Sequence, residues 1–90
     1  MRLFKEFLLD AESLADQQIY MPAEAKIVNI VKTAIGLKLL AIVKQTSLNT
    51  ESRKFKICLN DEIFYAKTVE YIGSFESDIG TKHVIEIIKE

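Results

Sequence analysis

The sequence predicts an α+β fold: one or two N-terminal helices packed on a four-stranded antiparallel meander sheet. Three observations predict it. Residues 2–18 repeat apolar side chains at helical spacing. From Leu37 onward the pattern changes to two-residue alternation and β-branched runs. Ninety residues with three glycines and one proline leave room for a single domain, 1–90, and for no linker.

The first helix is drawn from Phe4, Phe7, Leu8, Ala11, Leu14 and Ala15, which share one stripe, while Lys5, Glu6, Asp10, Glu12 and Asp16 fall outside it. Pro22-Ala23-Glu24-Ala25 has the proline and acid of a helix start, and Ile27, Ile30, Val31, Ala34 and Ile35 follow at three- and four-residue steps to Gly36. The β-branched content of 22–35 favours a competing reading, a strand over 26–33 that turns through Ala34–Gly36.

Leu37 to Lys44 is apolar on both faces, as in a central strand, and Thr46–Ser52 is a polar turn. Phe55, Ile57 and Leu59 alternate with Lys54, Lys56 and Cys58, and Asn60-Asp61 supplies turn residues. Residues 63–72 read as a long strand, or as a helix capped by Asn60 and stopped by Gly73. Ser74–Thr81 is a loop, and His83–Lys89 closes the sheet. The alternative architecture is one helix followed by a five-stranded small β-barrel. That outline is similar to Sm-like domains, although the Asp-Gly turn and downstream Asn of their RNA sites have no counterpart here.

Composition excludes several classes. Hydrophobic residues at 49% and charged residues at 28% are ordinary for a globular chain. Glu6 and Asp10 interrupt the N-terminal apolar run that a signal peptide needs. The most apolar window, Ile27–Val43, is broken by Asn29, Lys32, Gly36 and Lys38, which fits a core better than a membrane span. A single cysteine, Cys58, points to a reducing, cytoplasmic location.

No linear motif for catalysis, metal or nucleotide binding is found, so neither an enzyme nor a cofactor is expected. Gly73 and Gly80-Thr81-Lys82 have the wrong spacing and residue order for a phosphate loop. Glu76, Asp78 and Gly80 lack the distal carboxylate of a calcium loop. Cys58 and His83 are too few for zinc and form, at most, a nucleophile pair if their strands adjoin.

Charge is the one uneven feature. Residues 26–56 carry Lys26, Lys32, Lys38, Lys44, Arg53, Lys54 and Lys56 against Glu51 alone, between acidic flanks. Either the flanking acids neutralise these cations, or Lys38, Lys44, Arg53, Lys54 and Lys56 gather as a binding surface. The leading functional expectation is a non-enzymatic interaction or assembly module: a homo-oligomer subunit, an inhibitor, or a phage or mobile-element accessory protein. Its basis is a sheet with more apolar surface than the chain's own helices cover. The alternative is a small β-rich nucleic-acid-binding domain using the basic segment 26–56.

Overall fold

β-branched and aromatic residues are frequent in the chain from Ile27 to Ile87, and in the computed structural model, which describes residues 1–46 and 48–90, extended structure prevails throughout. The strands are β1 (Arg2–Leu9), β2 (Gln17–Pro22), β3 (Lys26–Thr33), β4 (Gly36–Lys44), β5 (Thr50–Leu59), β6 (Thr68–Ser77) and β7 (Gly80–Lys89). They pair antiparallel into a three-stranded sheet, β1-β4-β3, and a four-stranded sheet, β2-β5-β7-β6. No helix exists among the described residues. The fold is therefore all-β, which overturns the α+β expectation and the one-helix barrel alternative together.

The two sheets stack into an envelope of 40 × 31 × 16 Å, the thin dimension being two layers. Leu9, Leu37, Leu39, Ala41 and Val43 point in from the first sheet, and Met21, Phe55, Ile57 and Val84 from the second. Each fully buried aliphatic or aromatic side chain contributes about 1.5–3 kcal/mol. Lys82 lies within this interior, its ammonium donating to the Ala11 carbonyl oxygen at 2.9 Å, which ties the β1–β2 connection to β7.

The corrections have local causes. The predicted first helix is β1, a turn and β2. Asp10 Oδ1 accepts the Glu12 amide and the Asp10 carbonyl accepts that of Ser13, so Asp10, one of the acids outside the helical stripe, shapes a turn. Pro22–Ala25 is a second turn, with Glu24 at φ 66° and the Ala25 amide donating to Pro22 O. The second predicted helix is β3, over the residues of the competing strand reading. A bulge between Ile27 and Asn29 inserts one residue, so Ile27 and Ile30 both face inward three positions apart. That spacing imitates a helix.

The expected meander also fails, because β4 and β5 lie in different sheets and β5 neighbours β7, not β6. Of the predicted strand 63–72 only Thr68–Ile72 is extended, within β6, and the strand runs on to Ser77 through the predicted loop. Of the predicted turn 46–52, Ser47 lies outside the described residues, and β5 begins at Thr50. Gly36 starts β4 at φ 149°, where a Cβ would stand 2.8 Å from Leu9 O, so no larger residue fits without moving backbone.

Candidate functional site

Strand alternation assigns the outer face of each sheet. On the three-stranded sheet, β1 presents Arg2, Phe4, Glu6 and Leu8, directly opposite Lys44, Ile42, Leu40 and Lys38 of β4. β3 adds Lys26, Asn29 and Val31 opposite Ile42, Leu40 and Lys38. Phe4 is 67% exposed, Leu8 48% and Val31 47%, with Leu40 and Ile42 half-buried between them. Ile35, in the β3–β4 turn, is also exposed. These side chains make an apolar face that the chain leaves in solvent, interrupted by Glu6, Asn29 and Lys38 and with Arg2, Lys26 and Lys44 at one end.

The outer face of the four-stranded sheet is different. Cys58, Ile85 and Ile87 are buried there, with Ala66 from the 60–67 connection packed against them. The connection is pinned at both ends. The Lys67 amide donates to Lys89 O at 2.8 Å, and Asn60 Oδ1 accepts from His83 Nε2 at 2.6 Å. Tyr71 donates its hydroxyl to His83 Nδ1 at 2.8 Å, so both ring nitrogens are engaged. Cys58 and His83 are direct cross-strand partners, yet the imidazole has no lone pair left for the thiol. Burial, the largest influence, pushes the Cys58 thiol above its ordinary value of 9.0. Their adjacency thus gives an inert thiol.

That burial has a measurable consequence. The unfolded thiol ionises near 9.0, whereas the folded one keeps its proton to higher pH. Between those two values the folded chain holds more protons, so this contribution to stability is complete below pH 9.0 and declines as pH rises above it. Titration with a disulfide reagent at neutral pH should proceed slowly on the folded protein and reach one equivalent only on unfolding. Rapid stoichiometric labelling of the native state would contradict the inert assignment.

The five candidate cations are divided between the two outer faces of the sandwich and its interior. Lys38 and Lys44 are on the outer face of the three-stranded sheet, 3.1 Å from Glu6 and 2.8 Å from Glu24. The Lys44 hydrogen bond, with its charge second, holds the Glu24 carboxyl below its ordinary range. Lys54 and Lys56 are on the outer side of β5. Lys54 pairs with Glu90, a bond that raises its ammonium above the usual value, and stands 3.9 Å from Asp16. Lys56 donates to Leu14 O and stands 3.6 Å from Glu62.

Arg53 points inward, in line with Phe55 and Ile57. Its Nε and Nη2 each donate to a Glu86 oxygen at 2.7 Å, and its Nη1 donates to Ala25 O. The two side chains are only 15% and 6% exposed. This fork, with Glu51 and Glu70 close by, ties β5 to β7 and to the β2–β3 turn. Each of the five candidate cations thus has an acid from one of the flanks beside it, and the five are not gathered into one patch.

Among the described residues no group of three or more His, Cys, Asp or Glu is arranged to hold a metal ion, and no helix is long and apolar enough to cross a membrane. The residues that stand out, Phe4, Leu8, Val31, Leu40 and Ile42, were not candidates on sequence grounds. The available signal was the double-sided apolarity of Leu37–Val43; Phe4 and Leu8 were absorbed into the supposed helical stripe. The chain matches no family model, no characterised protein and no solved structure.

Proposed function

We propose that this chain is a non-enzymatic assembly module whose contact surface is the outer side of its three-stranded sheet, including the β1 edge. The observation that carries this reading is the set of apolar side chains on one sheet face: Phe4, Leu8 and Val31 stand in solvent around the half-buried Leu40 and Ile42. On the other outer face the 60–67 connection packs on Cys58, Ile85 and Ile87, while its own Ile63, Phe64 and Tyr65 are exposed. Removing such side chains from water contributes about 25 cal/mol per Å² of apolar surface, a drive that a partner chain would satisfy. A single buried thiol suits a reducing compartment, in keeping with a cytoplasmic setting.

The test is affinity capture with the wild-type chain beside the triple variant Phe4→Ser, Leu8→Ser, Val31→Ser, folding being checked by circular dichroism. Proteins retained by the wild type should be lost from the variant. Capture of the same set by both would remove the outer face from consideration.

A further inference from the structure

We infer that β1 is a self-pairing edge: two copies of the chain join β1 to β1 antiparallel, about a two-fold axis through Phe4, to give a continuous six-stranded sheet. The inference rests on the contact-surface reading above and names an occupant for the β1 edge of that surface.

The four edge strands differ in how they are blocked. β2 is six residues long and ends in Pro22. β6 has register shifts at Thr68/Val69 and at Tyr71/Gly73. β3 has its bulge at Ile27/Asn29, and Lys32 bonds across to the Glu76 carbonyl oxygen of β6. β1 alone runs eight residues in unbroken register with β4, without proline or bulge. Such a straight edge is a template for another strand.

Two-fold symmetry requires that opposed residues have the same parity, so only a few registers exist. Centring on Lys5 or on Glu6 places two like charges directly opposite, which is unfavourable. Centring on Phe7 sets Glu6 against Leu8 and leaves the carboxylate without a cation across the junction. Centring on Phe4 sets Arg2 opposite Glu6 of the second copy, twice, with the two Phe4 rings between them and Leu3 against the Lys5 stem. Within one chain Arg2 faces Lys44 directly, a like-charge pair, and Glu6 holds Lys38 at 3.1 Å. Joined in this register, the outer face carries the row Lys38, Glu6, Arg2, Lys44 across the junction, so that each Arg2 gains the counter-charge its own chain does not supply. The most exposed aromatic of the sheet, Phe4, is covered by its own copy.

Sedimentation equilibrium of the full chain from micromolar to near-millimolar concentration tests this. The wild type should be dimeric at the upper end. Arg2→Glu alone and Glu6→Arg alone oppose like charges across the junction, and each should weaken dimerisation by at least roughly ten-fold. Mixed one to one, they are complementary and should form a heterodimer. Both positions are exposed, so each variant keeps the β-sheet circular dichroism spectrum. A wild type monomeric throughout, or a mixture no tighter than its components, overturns the inference. A wild-type dimer indifferent to both substitutions also overturns it. None of these results alters the capture experiment above, so the wider contact-surface reading stands or falls separately.

Discussion

Arg53→Ala should destabilise the folded chain by about 3–5 kcal/mol, the range for removing one member of a buried ion pair. Glu86 then loses both 2.7 Å hydrogen bonds while remaining on the inner side of β7, directly opposite Glu70 of β6. The Ala25 carbonyl oxygen also loses its donor, loosening the β2–β3 turn. Glu86→Ala should cost less, because the stranded guanidinium retains the attraction of Glu51 and Glu70. Arg53→Met combined with Glu86→Leu should recover most of the loss, since apolar residues of similar volume replace a desolvated pair at little cost. Urea unfolding of the four proteins checks the order. Equal losses for the two single variants would show that Glu51 and Glu70 do not act on Arg53.

Phe55→Ala should cost a further class of energy, about 3–5 kcal/mol for a buried aromatic with its cavity. Phe55 is 0% exposed, on the strand between β2 and β7, and lies in the cluster that joins the sheets. A domain of this length has only about 5–13 kcal/mol in total, so this one change removes from about a quarter to all of it. Phe4→Ala is the instructive control. Its ring stands outside the sandwich, and in the isolated chain the change should stay within about 0.5 kcal/mol. Under the helical reading Phe4 was a core residue, so thermal unfolding of these two variants at low concentration separates the two architectures.

The parts of the fold legible in the sequence were those where one face is apolar and the other charged. Phe55 and Ile57 against Lys54 and Lys56 could be read only as a strand, and they lie within β5. Strands apolar on both sides lost their period. In β1 the helical stripe took Phe4 and Leu8 from one face and Phe7 from the other, and left out Leu9, which is 1% exposed and belongs to the core. In β3 the bulge moved Ile30 to the inner face and manufactured a three-residue step. The partition into two sheets was illegible for another reason: Leu37–Val43 and Val84–Ile88 look alike as text, yet one is roofed on its outer side by a distant connection and the other is not.

The charge pattern was legible as a sum and not as a map. Acidic flanks around a basic middle left both neutralisation and a gathered surface open, and each of the five candidate cations has a carboxylate within 4.0 Å. Long-range register decides which acid meets which base: Glu86 reaches Arg53 only because β7 pairs β5. Local spacing carries no trace of that.

The free edge of β1 is the most specific contact proposed for the three-stranded sheet, and amide hydrogen exchange along β1 examines it directly. The amides of Arg2–Leu9 that point away from β4 have no partner strand in one chain, so the pairing predicts fast exchange at micromolar concentration and protection as the concentration approaches millimolar. Fast exchange of those amides at every concentration would contradict it.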